Sequence, residues 1–173
     1  MNFNINEIVD YYDSEPLRYN YYDLLEFGIS YTNADFMVSI GIPEIFDDFV
    51  FYRAENMKKK IIGGVKFIMV GHHALHGFSD QKPLYLLEEG DGMFTVSSLH
   101  NPPIYKLNKN LETFFLFHFM RYELYTEMKK AEIYTSQNYA HELRKLYMQY
   151  DADTMEDVEG YWSHLIEDYE TGL

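Results

Sequence analysis

The chain has no cysteine among its 173 residues. That excludes a disulfide framework, a thiol nucleophile and any cysteine-built metal centre. Positive charge is scarce: 14 Lys and Arg stand against 28 Asp and Glu, a formal net charge of −14. A surface of that sign repels phosphate backbones, so nucleic acid is not an expected partner, whereas a basic protein would be drawn in. Long apolar runs are missing too. No stretch approaches the roughly 20 residues of a membrane-spanning helix, so no membrane association is expected. The opening MNFNINEIVDYYDSE has neither a basic nor an apolar signal-type region, so a cytoplasmic location is expected.

Aromatic rings are what the chain has in excess. Seventeen Tyr and 13 Phe help bring aromatic content to 18 %, which argues for a packed core rather than disorder. The length fits one domain over residues 1–173, with residues 1–30 as an N-terminal helical extension. The clearest element is the run NKNLETFFLFHFM, Asn108 to Met120. Leu111, Phe114, Phe115, His118, Phe119 and Tyr122 repeat at helical spacing, and Leu116, Phe117 and Met120 fill the opposite side. A helix apolar nearly all round is a buried one. Asn108 and Asn110 are its N-cap candidates.

The elements around it follow from the same rules. Ile5, Ile8, Val9 and Tyr12 are spaced for a short amphipathic helix, and Glu15-Pro16 interrupts it. The run Tyr19, Tyr21 and Tyr22 is read as packed or half-wet rings rather than as a ligand groove. Thr32 and Asn33 can cap a helix through Ile40 that Gly41 stops, with Pro43 just beyond. Between Phe49 and Tyr105 the pattern changes to short strand-like runs: Phe49 to Tyr52, Val65 to Val70, Pro83 to Leu87, Met93 to Val96 and Ile104-Tyr105. Gly90 and Gly92 can supply positive φ in the connector EEGDG. The lysines 58–60 read as a solvated turn or edge. Ser136 can cap a second long helix and Thr154 a third, whose stripe would be Met155, Val158, Trp162, Leu165, Ile166 and Tyr169. Such short connectors imply antiparallel pairing. The predicted class is therefore α+β: a mainly antiparallel sheet with helices packed against it.

Several constellations invite a chemical reading. In Gly71-His72-His73-Ala74-Leu75-His76-Gly77, His72 and His76 have the i, i+4 spacing of zinc ligands on a helix. The flanking glycines and the strand-like VKFIMV before them speak against a helix, and no carboxylate stands at HExxH spacing. No metal or other cofactor is expected. Ser97, Ser98 and His100 hold a nucleophile and a base, but neighbours in sequence rarely meet in triad geometry. His118 reads as a satisfied core histidine. No catalytic residue is assigned. The acidic clusters Asp47-Asp48, Glu88-Glu89-Asp91 and Asp151 to Glu159 read either as solubilising charge or as a docking face for a cationic protein.

Taken together, these features resemble the SUKH superfamily, and within it the fourth immunity-protein group, related to the Smi/Knr-type domain. The residues that carry the resemblance are the helix stop Gly41-Ile42-Pro43, the strand VKFIMVG at 65–71 and PLYLL at 83–87. With them go the glycine hairpin, MFTV at 93–96, the N-x-N-L-x-x-F run of Asn108, Asn110, Leu111 and Phe114, and the ending EGYWSHLIEDYETGL. The likeness spans roughly residues 30 to 171; the GHHALHG turn and the tyrosine-rich first 25 residues match nothing in it. The resemblance implies an immunity protein, not an enzyme, that binds and neutralises a cognate basic toxin of the nuclease type inside the producing cell. Asp47, Asp48, Glu88, Glu89 and Asp91 are the candidate toxin-binding residues. An adaptor or regulator on the same fold, and a metal-dependent hydrolase on the histidine turn, are the alternatives.

Overall fold

The computed structural model describes residues 3–74 and 82–172. Its class is α+β, with one seven-stranded antiparallel sheet and helices against one face. The strands are β1 (Ile45–Phe46), β2 (Phe49–Phe51), β3 (Lys58–Ile62), β4 (Val65–His73), β5 (Lys82–Leu87), β6 (Met93–Val96) and β7 (Ile104–Asn108). Their order is β1-β2-β4-β5-β6-β7. The nine-residue β4 is long enough to serve two partners, pairing β3 along its first half and β2 at its end. Strand β1 is not among the runs read from sequence, and at β3 the structure selects the edge of the two alternatives, turn or edge. The lysine run is an edge strand: Lys58, Lys59 and Lys60 pair Met69, Ile68 and Phe67, and their long stems let charge stay in water at an open edge.

Helix α3 (Leu111–Lys130) lies on the sheet and is ringed by the rest of the chain. Asn110 is its cap: its side chain accepts the Thr113 amide at 2.8 Å. Asn108 is not. It ends β7, fully buried, and accepts the Trp162 indole N–H at 2.9 Å. Phe114, Phe115, Phe117 and Phe119 are all buried, as the all-round apolar pattern requires. Replacing one with Ala would cost roughly 3–5 kcal/mol, transfer and cavity terms together. Helix α4 (Ser136–Tyr150) is capped by Thr135 rather than Ser136, and lays Tyr139, Leu143 and Tyr147 on α3. Tyr147 stacks on Phe117 at 3.9 Å, and its hydroxyl donates to the Phe117 carbonyl.

The other departures each trace to particular side chains. The N-terminal segment Ile5–Tyr11 is a 3-10 turn capped by Asn4, and it buries only Ile8. Helix α1 (Tyr21–Phe27) forms inside the tyrosine run because Asn20 caps it, accepting from the amides of Tyr22 and Asp23. Helix α2 (Tyr31–Ser39) starts two or three residues earlier than expected, capped by Ser30 rather than Thr32 or Asn33. It ends as expected at Gly41, whose φ of 82° and amide bond to the Phe36 carbonyl close the turn. The expected third helix is two, α5 (Ala152–Glu156) and α6 (Tyr161–Thr171). Asp157 divides them: extended, its carboxylate takes the Glu159 amide and the His100 ring. Val158 is thereby thrown out of the apolar stripe, 73 % exposed. In the β5–β6 hairpin the positive φ belongs to Glu89, at 60°, not to Gly90 or Gly92. Those glycines leave room for side chains, since a Cβ would come 2.5 Å from Leu87 Cδ2 and 2.7 Å from Phe94 Cε2 unless these shifted.

Candidate functional site

The five candidate acids fall into two groups at opposite ends of β4. Glu88 donates its amide to the Lys66 carbonyl near the start of β4, while Asp48 accepts from Ala74 just beyond its end. At about 3.3 Å per residue, those anchor points stand roughly 25 Å apart. They are two places, not one site.

At the β1–β2 turn, Asp47 points inward. Its carboxylate lies 2.8 Å from His118 Nδ1 and 2.6 Å from an Arg121 guanidinium nitrogen, both on α3. Burial alone would raise this carboxyl. The His118 and Tyr122 hydrogen bonds and the Arg121 charge outweigh it, and hold it well below the usual carboxylate range. His118 is fully buried within 5.5 Å of the rings of Phe46, Phe49, Phe114 and Trp162. That burial lowers its pKa to about 4, although Asp47 pulls the other way. At neutral pH the arrangement is an aspartate–arginine ion pair holding a neutral imidazole by Nδ1–H. With His118 sealed from solvent, no substrate reaches it. Asp47 is thus a fastening between the β1–β2 turn and α3.

The second group forms an open site. Glu88 is drawn back onto the edge strand, with Oε1 at 2.5 Å from Lys59 Nζ, and that hydrogen bond lowers its pKa. Glu89 and Asp91 project from the hairpin tip and are exposed. The tip is pinned to the α1–α2 corner. The Glu89 amide donates to the Gly28 carbonyl at 2.8 Å, and the buried Asn33 amide group donates to the Asp91 carbonyl at 3.0 Å. Asn33 also accepts the Leu111 amide at 2.9 Å, so the corner, the tip and the start of α3 share one side chain. Between them runs a groove of about 420 Å³ lined by Leu25, Ile29, Tyr31, Thr32, Glu89 and Asp91. Tyr31 is 74 % exposed, and Tyr22, on the adjoining helix, 77 %. A backbone held by hydrogen bonds, two outward carboxylates and exposed phenol rings make a surface suited to a cationic protein face. The sequence reading names Tyr22 only as a packed or half-wet ring and does not name Tyr31, because exposure depends on which side of α1 and α2 meets the core.

Of the histidine turn, His72 and His73 are described, and they do not converge. Adjacent residues of β4 point to opposite faces of the sheet. His72 meets the Tyr52 hydroxyl at 2.9 Å, while His73 stacks on Phe49 at 4.5 Å on the helix side. His76 lies outside the described residues. Among the described residues no three His, Asp or Glu side chains converge as metal ligands. Ser97 and His100 do not pair through their side chains either. Ser97 Oγ accepts the Leu99 amide, and His100 Nε2 lies 2.7 Å from Asp157 while its ring stacks on Tyr105. A cavity of about 290 Å³ between α6 and the sheet has Lys82 and His73 beside Glu159 and Asp168, charges of both signs on an apolar slot. Among the described residues, no helix is long and apolar enough to cross a membrane. No family model, curated protein or solved structure matches this chain.

Proposed function

We propose that this protein is a cytoplasmic immunity protein of the SUKH type, which binds a cognate basic toxin stoichiometrically and blocks it without turnover. The observation that carries the reading is the groove at the hairpin tip, where Glu89 and Asp91 stand beside the exposed Tyr31 on a backbone held by Asn33. The net charge of −14 supports it, since long-range attraction raises the rate of encounter with a basic partner. The proposed division of labour places encounter on the carboxylates and residence on the tyrosines. Glu88 contributes by holding the edge strand, and Asp47 by holding the fold. The test is co-purification with the nuclease-type toxin encoded beside its gene. A one-to-one complex on gel filtration is expected, formed more slowly but still formed by the variant with Glu89→Lys and Asp91→Lys. Neighbouring genes without a toxin, and no complex with a basic nuclease, would favour the adaptor reading instead.

A further inference from the structure

The helices cover one face of the sheet. Ile68, Val70, Leu84, Leu86, Met93 and Leu107 lie there and belong to the main core. The pleat sends Phe67, Met69, Tyr85, Leu87, Phe94 and Val96 to the other face, as the pairs Phe67–Leu87, Met69–Tyr85 and Tyr85–Phe94 record. None of these six is part of the main core or packed against it. They make a cluster of their own, with the Phe67 ring 5.8 Å from Tyr85 and 5.2 Å from Phe94. Phe67 and Tyr85 are buried, and the other four remain half-exposed.

The charge of this face is the reverse of the molecule's. In a chain of 28 acidic residues, none of the seven strands contains an Asp or Glu. Cross-strand pairing puts Lys58 beside Met69 and Lys60 beside Phe67 at one edge, and Lys106 beside Phe94 at the other. Lys58 and Lys60 are exposed, and Lys106 reaches the exposed Asp153 at 3.8 Å.

We propose that this face docks an apolar helix of another protein whose flanks carry Asp and Glu. The apolar band crosses β4, β5 and β6. Three strands at about 4.8 Å spacing match a helix of about 10 Å diameter. Lysines on both sides would meet its acidic flanks. A second copy of this chain would instead set lysine against lysine and bring two bodies of −14 together. A single-stranded nucleic acid needs free rings for stacking, and the two central rings here are covered. This docking is independent of the toxin-binding reading, because it uses another face and the opposite charge.

The test titrates the isotope-labelled full chain with two synthetic helical peptides sharing one leucine stripe, flanked by Glu or by Lys, and with oligouridylate. The Glu-flanked peptide should shift the amides of Phe67, Met69, Tyr85 and Phe94 first, and bind there at least tenfold tighter than its Lys-flanked twin. Lys58→Glu with Lys60→Glu and Lys106→Glu should reverse that preference. Should this triple variant not fold, the matching Lys→Gln variant should still erase the tenfold difference. Shifts elsewhere, equal affinities, tighter binding of oligouridylate to the same amides, or self-association through this face would each overturn the proposal.

Discussion

Asp47 and the pair Glu89 and Asp91 are the same chemistry in two settings. All three sit in turns between strands, and two of them, Asp47 and Glu89, occupy the left-handed region, with φ of 49° and 60°. Asp47 is turned inward onto a buried imidazole and a nearly buried guanidinium. Glu89 and Asp91 are turned outward, and the bonds that hold them are made by their backbones. The difference lies in what stands behind each turn. Behind β1–β2 is α3, whose His118 and Arg121 offer polar groups that need a partner. Behind β5–β6 is the α1–α2 corner, where Asn33 asks only for a carbonyl. An acidic residue in a turn is therefore engaged by the fold or left in solvent according to the helix behind it.

The largest effect that could break this contrast is on stability. Asp47→Ala leaves Arg121 and His118 without their carboxylate and should lower unfolding free energy by about 3 kcal/mol. The Glu89→Lys and Asp91→Lys changes should stay within about 0.5 kcal/mol. Urea denaturation of the three variants decides it. Similar losses in all three would erase the distinction.

The next effect is on pH. The folded pKa of His118 is depressed to about 4, against about 6.5 for an unfolded histidine. The unfolded chain therefore takes up the proton first as pH falls. Stability should be full above about 6.5 and drop towards 4, by on the order of 3 kcal/mol. Asp47, also depressed, adds its own loss only below the unfolded carboxylate value of about 3.9. Comparing urea midpoints at pH 7 and pH 4.5, His118→Gln should show a flatter slope than the parent. An unchanged slope would mean that the imidazole is not held neutral.

The smallest effect sharpens the outward half. Glu89→Lys with Asp91→Lys should slow association with the toxin several-fold at low salt and leave dissociation nearly unchanged, as rim charges do. Tyr31→Ala should do the reverse, raising the dissociation rate about tenfold. Stopped-flow kinetics separate the two, and matching changes in both rates for both variants would contradict the proposed division.

How far the sequence went follows the same line between local and distant causes. The core helix was legible because Phe114 to Phe119 leave it no wet face, and the Gly41 stop because its cause is local. Class and strand pairing were legible from the short connectors. The break at Asp157 was not, since it depends on His100, 57 residues away. Nor was the role of Asp47, whose partners are 71 and 74 residues off. Asn33 had the right residue type for a cap and proved to be a tie between three elements. Each of those roles rests on a partner that folding alone brings near.

The central claim is stoichiometric binding by an acidic surface. The measurement that meets it most directly is titration of the toxin's activity against this protein at two salt concentrations. Activity should fall linearly to zero at one equivalent, with association slower at the higher salt. Time-dependent loss of activity at well below one equivalent, or an association rate indifferent to salt, would contradict it.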